Sequence, residues 1–314
     1  MKILFNCNAI CLRGTTVAVY DYAKYNEEIL GNESVITYDV NSLYNRQLAI
    51  EKFQKRFPIV GFDNIGELDD IVTQNSIDFC YMIRDGHRNY VPRNCRTGIH
   101  TVFPIHEPHG DVYAYIAKWL SDKMSGGSCP YVPHILTLPK TPTEDLRERY
   151  NIPKGAIVFG GHGGEDTFNL SMTHRAVWST VNQNKNVYFL LMNRNRFCPE
   201  HPQIIHIPAT ANLQEKANFI CACDAMIHAR DNGESFPLSI GEFLVFGKPI
   251  VSWPGGDPGH LHMIGENKWW YNSYEECFAH LNNENILRDT SMIGLVDQYS
   301  PENVMQQFKE VFLG

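Results

Sequence analysis

The chain has 314 residues, 43% hydrophobic and 20% charged, with 35 acidic side chains against 27 basic ones and a formal charge of -8. That length exceeds what one hydrophobic core usually serves, so two domains are expected. The acidic balance excludes the broad basic field that nucleic acid or an anionic membrane surface requires, and an anionic ligand has to be held by local groups. No apolar run approaches the roughly 20 residues of a membrane span, so no transmembrane segment is expected. MKILFNCNAI reads as a first strand, not a secretory leader. The nine cysteines follow no disulfide or zinc spacing and read as reduced thiols of a cytoplasmic protein.

In chain order, residues 2–5 read as a strand, 14–16 as a turn, 17–30 as a helix and 34–38 as a strand. Short apolar runs follow at 77–82, 101–104 and 131–133, while 113–120 reads as a buried strand and a helix start. The stretch HILTLPKTPTEDLRERYNIPKGAIVFGG, with Pro139, Pro142 and Pro153 around a short charged helix, has the composition of a linker. A boundary near residue 140 divides the chain into domains 1–140 and 141–314, with packing of the terminal helix back on the first domain left open. The alternation then restarts: strand 157–160, helix 173–182, strands 186–192 and 204–207, helix 213–221, strand 225–229. A helix over 237–246 and a strand over 249–253 come next, and the tail forms a helix capped by Ser300 with Pro301 at its first position. Such alternation predicts an α/β fold of two doubly wound, Rossmann-like parallel sheets.

The segment ARDNGESFPLSIGEFLVFGKPIVSWPGG, residues 229–256, concentrates the chemistry. Ser235 or Phe236 caps the helix, Pro237 opens it, and Gly247 with Pro249 stops it. Glu234 then stands at the helix mouth and Glu242 about 7.5 Å along the axis. A carboxylate accepts two hydrogen bonds, which suits adjacent sugar hydroxyls, and the N–H groups around Leu238 and Ser239 suit a phosphate. A nucleoside diphosphate sugar presents its groups in that order. Spacing alone does not separate this from a dipole-stabilising glutamate followed by a solvated one.

The segment resembles the E-x(7)-E signature of retaining GT-B glycosyltransferases, family four in particular. Glu234-Ser235-Phe236-Pro237-Leu238, Glu242, Gly247-Lys248-Pro249-Ile250-Val251 and the pair Gly255-Gly256 all fall in place. The resemblance implies a GT-B fold, two Rossmann-like domains facing a central cleft. It implies that Glu234 touches the transferred sugar, that Glu242 grips the ribose, and that the peptide groups of Ser235, Phe236 and Leu238 face sugar and diphosphate. Pro237 stands where the family often has glycine and removes one N–H. In VFGGHGGEDTFN, the glycines around Gly161, His162 and Gly163 resemble the family's phosphate loop, but His162 and Thr167 occupy the positions of its two cations. Arg230, Lys248 and a protonated His162 are the candidate replacements.

In the first half, Gly14 with Thr15 and Thr16 resembles the first glycine loop of GT-B enzymes and equally fits an ordinary strand-to-helix turn. A histidine near residue 106 contacts the donor sugar in the family, and His106 is preferred here over His100 and His109. The expected activity is transfer of a hexosyl group from a nucleotide sugar to a carbohydrate or glycan hydroxyl, with retention and with neither metal nor cofactor. Two alternatives stay open: a nucleotide-sugar epimerase of the same fold and a non-catalytic nucleotide-sugar binder. The absence of a G-x-G-x-x-G unit argues against a Rossmann oxidoreductase.

Overall fold

The computed structural model describes residues 1–314. The chain packs as two units, Met1–Ile135 with Gln298–Gly314, and Leu136–Asp297. Packing divides the chain between Ile135 and Leu136, close to the boundary read near 140, and the tail groups with the first unit, the alternative the sequence left open for the terminal helix. No helix is long and apolar enough to cross a membrane.

The first unit contains β1 (Lys2–Cys7), α1 (Gly14–Glu28), β2 (Glu33–Asp39), α2 (Gln47–Gln54), β3 (Ile59–Phe62), α3 (Leu68–Gln74), β4 (Phe79–Arg84), β5 (Arg96–Thr101), β6 (Val112–Tyr115) and α4 (Lys118–Ser125). Its sheet has the order β3-β2-β1-β4-β5-β6 and is parallel throughout. Parallel strands covered on both faces read as continuous apolar runs, and β4 is buried at every residue. The expected turn at 14–16 is instead the first turn of α1. Thr16 Oγ1 there donates to Ala9 O and accepts from Cys11 N–H, tying the preceding loop to the helix. The run at 131–133 makes only one bridge, Tyr115 to Tyr131.

The second unit contains α5 (Leu146–Arg149), β7 (Ile157–His162), α6 (Ser171–Gln183), β8 (Val187–Met192), β9 (Ile204–Ile207), α7 (Leu213–Ala222), β10 (Ala225–His228), β11 (Gly233–Glu234), α8 (Leu238–Val245), β12 (Ile250–Ser252), β13 (Asp257–Pro258), α9 (Gly259–Ile264) and α10 (Tyr274–Leu281). Its parallel sheet runs β12-β10-β7-β8-β9. The strand order reverses between β7 and β10, and in open parallel sheets ligands bind beyond the carboxyl ends of the strands at such a point.

The chain closes with α11 (Pro301–Phe308) and a π-helical turn, Lys309–Leu313. Ser300 caps it, its hydroxyl accepting from Asn303 N–H at 3.4 Å, with Pro301 at the first position. Phe308 stacks on Phe5 and Tyr22, and Phe312 lies edge-on to Tyr81. Gly98 makes room for this packing: a Cβ there would stand 2.7 Å from the Phe312 ring.

Candidate active site

Glu234 leaves β10 through the loop Ala229-Arg230-Asp231-Asn232-Gly233 and is fixed by backbone before any side chain acts. Gly233 (φ 65°) pairs with Asp257 in the parallel pair β11 and β13, and Gly256 (φ 77°), just before β13, packs against it. A Cβ on Gly233 would lie 2.3 Å from Asp257 N, and one on Gly256 would lie 2.2 Å from Gly233 N, so this clamp admits glycine alone at both positions. The carboxylate is then held from two sides. His228 Nε2 lies 3.1 Å from Oε1, and Arg230 Nη1 donates to Oε2 at 2.7 Å. His228 Nδ1 lies 2.9 Å from Ser252 Oγ, whose own proton goes to Trp253 O. The His228 ring thus bridges Ser252 and Glu234, one nitrogen to each. Burial opposes the charge on Glu234, but the hydrogen bond and charge of His228, then Arg230, outweigh it and lower its pKa.

Glu242 is the fifth residue of α8 and is buried. Lys216 of α7 donates to Oε1 at 2.6 Å, and His162 Nε2, at the end of β7, lies 2.9 Å from Oε2 without good hydrogen-bond alignment. Burial again opposes ionisation, yet Lys216 and His162 together bring Glu242 to about 2. For His162 the balance runs the other way: burial lowers its pKa despite Glu242, so His162 is not the protonated cation that the sequence offered as a replacement.

The helix itself starts one residue later than expected. Pro237 is its N-cap, with no side-chain cap, and neither Ser235 nor Phe236 occupies that position. Leu238 N–H turns back to Phe236 O at 3.0 Å, which removes it from the donors expected to meet a phosphate. At the other end Gly247 (φ 63°) donates to Leu244 O and Lys248 N–H to Phe243 O, the paired C-terminal stop expected of glycine.

In the glycine stretch, Gly160, Gly161 and His162 belong to β7, with Gly161 opposite Leu191 and His162 opposite Met192. Gly161 is therefore a strand residue, its Cβ position 3.1 Å from Ile227 O, and only Gly163 and Gly164 form the loop. Into this loop comes a residue that sequence reasoning missed. Asn193, at φ 53°, turns the chain as β8 ends and its amide donates to Gly163 O at 2.6 Å. Arg194 then places its buried guanidinium against Gly164 O at 2.8 Å, His162 O and Thr167 Oγ1. Burial brings Arg194 down to about 10, with Glu234 the leading opposing charge. Its signal was positional: an arginine just past a buried parallel strand stands at the carboxyl edge. Lys216, in mid-α7, carried no such signal.

Of the predicted site residues, Glu234 meets Arg230, Glu242 meets His162, and Gly163 meets Arg194. Lys248 is not brought to them. It precedes β12, at the amino ends of the strands, where its charge acts on Cys223 and Cys221. In the first unit, His106 is exposed, with Nδ1 2.7 Å from Tyr115 OH and its ring stacked on that tyrosine, while Gly14 is the exposed first residue of α1.

No protein-family profile and no curated protein sequence matches this chain. Solved structures do. A glycosyltransferase from Rickettsia africae is 14% identical, with 99% of this chain and 97% of that one covered and a TM-score of 0.71. Anabaena HepE in complex with UDP and glucose is 13% identical, with 99% and 98% covered and a TM-score of 0.72. Staphylococcus aureus TarM, in complex with fondaparinux, alpha-GlcNAc-glycerol and UDP, is 9% identical, with 100% of both chains covered and a TM-score of 0.71. The fold is that of these GT-B glycosyltransferases, with two parallel-sheet α/β domains.

Proposed function

We propose that this chain is a glycosyltransferase that moves a hexosyl group from a nucleoside diphosphate sugar to a carbohydrate or glycan hydroxyl, with retention of anomeric configuration. The observation that carries the reading is Glu234: a carboxylate clamped by a glycine pair at the mouth of α8, beside the reversal point of the sheet, and kept ionised by His228 and Arg230. The full-length likeness to glycosyltransferases, some of them in complex with UDP, supports it.

In this reading Glu234 accepts from hydroxyls of the transferred sugar. Glu242 uses one oxygen toward Lys216 and the other toward His162, which leaves about two of a carboxylate's four lone-pair sites for ribose hydroxyls. The diphosphate meets the N–H groups that follow Leu238 at the start of α8, and Arg194 supplies the positive charge that His162 and Thr167 do not. Helix start and arginine, not a metal ion, then receive the leaving-group charge.

The test is Glu234→Gln, which keeps shape and removes charge. Charged hydrogen bonds contribute roughly 1.5–3 kcal/mol, so turnover of a UDP-sugar should fall about tenfold to a hundredfold while the dissociation constant for UDP stays nearly unchanged. Equal losses in turnover and UDP affinity would remove Glu234 from the reacting sugar.

A further inference from the structure

The carboxyl edge of the first sheet holds a second constellation that the transfer reading does not use. Asn6 of β1 lies opposite Thr37 of β2 and opposite Met82 of β4 in register. Side chains alternate along a strand, so Arg84, two residues beyond Met82, shares the face of Asn6 and Thr37. These positions sit where β1 and β4 adjoin, the point at which the order β3-β2-β1-β4-β5-β6 reverses.

All three side chains are buried, with exposures of 0% for Asn6 and Thr37 and 4% for Arg84. Arg84 donates from Nη1 to Ile83 O at 2.9 Å and from Nη2 to Asn6 Oδ1 at 2.5 Å. No salt bridge joins it to a carboxylate; Asp85 acts on it only through space and turns its own Oδ1 to His87 N–H. Cys7 and Cys80, also near Arg84, are held protonated by burial. Asn6 Nδ2 and Thr37 Oγ1 have no hydrogen-bond partner.

A buried guanidinium and two buried orphan groups each cost free energy unless something meets them. A water could satisfy Asn6 and Thr37 but would leave the positive charge uncompensated. An oxyanion satisfies all three, because guanidinium binds carboxylate and phosphate through paired N–H donors. We propose that Asn6, Thr37 and Arg84 form an oxyanion-binding site in the first unit, taking the carboxylate or phosphate group of a sugar acid or sugar phosphate. The site lies within one unit and its test uses neither donor nor turnover, so its failure and the failure of the transfer reading are separate results.

The experiment is thermal unfolding of the full chain at fixed ionic strength in chloride, then with inorganic phosphate, glucuronate or glucose added. The wild-type midpoint should rise with phosphate or glucuronate and not with glucose. A response to phosphate alone assigns a phosphate ester, and a response to glucuronate alone assigns a carboxylate. Asn6→Asp supplies an internal carboxylate to Arg84 without changing shape. It should raise the midpoint in chloride and abolish the anion-dependent rise, which also removes any general salting effect of phosphate from the comparison. Thr37→Val, with the hydroxyl gone and volume kept, should weaken anion affinity by about tenfold. Absence of an anion response in wild type, or an equal response in wild type, Asn6→Asp and Thr37→Val, overturns the proposal.

Discussion

The two sheets present opposite electrostatic solutions at their carboxyl edges. In the second unit each site carboxylate carries its own cation, Arg230 for Glu234 and Lys216 for Glu242, with a histidine at the other oxygen, His228 and His162 respectively. In the first, Arg84 is buried against Asn6 and backbone with no carboxylate in a salt bridge to it. The difference lies in where compensation comes from. A self-neutralised pair holds its geometry without a ligand and offers spare lone pairs to neutral hydroxyl groups. An unmatched cation is completed only by something that brings negative charge.

The largest expected effect separates these two designs by stability. Glu242→Ala leaves the largely covered ammonium of Lys216 unpaired, which should cost about 3 kcal/mol of unfolding free energy, and Lys216→Met in the same chain should recover most of it. Arg84→Met removes a charge that no carboxylate neutralises, so it should cost no more than about 1 kcal/mol. Urea titrations of the four chains measure this. A larger loss in Arg84→Met than in Glu242→Ala would break the comparison.

Next in size is the acid response of the first unit. His100 is fully buried between Tyr81 OH and Tyr115 O, and burial lowers it from 6.5 to about 4. Its folded pKa lies below its unfolded one, so its contribution is present above pH 6.5 and is lost as pH falls toward 4. At about 1.4 kcal/mol per pKa unit the loss is about 3 kcal/mol. The contribution of Glu242, depressed from 4.5 to about 2, has the same sign but disappears only below pH 4.5. Imidazole resonances of His100 followed by NMR should therefore remain those of the neutral ring at pH 5.5, and titration near 6.5 would contradict its burial.

The smallest effect sharpens the assignment of ligands to units. UDP at 100 times its dissociation constant adds about 2.7 kcal/mol to whichever unit binds it. Hydrogen exchange should show that protection on β7, β10 and α8, with β1, β2 and β4 unchanged. Equal protection of both units would remove the division of labour proposed between the two edges.

Much of the second unit was legible in the sequence because its signals are local. Proline and glycine punctuate α8, apolar runs mark β7, β8 and β9, and Ser300 with Pro301 opens α11 as expected. Residues 47–74 were not assigned, for a physical reason: β3 is an edge strand buried at only one of its residues, and α2 buries only Ala49 and Phe53, so neither carries a clear apolar period. Lys248 misled because it is adjacent to the signature in the chain but precedes β12, while ligands are met where strands end.

The alternation of strand and helix and the spacing of Glu234 from Glu242 follow from the amino-acid order, because backbone preference and helical rise act over a few residues. The partners of those carboxylates do not. Lys216 stands 26 positions before Glu242, Arg194 stands 27 after Thr167, and Arg84 stands 78 after Asn6. Only the parallel sheets, by bringing the carboxyl ends of distant strands to one edge, decide which of these charges meet and which one is left without a counter-charge.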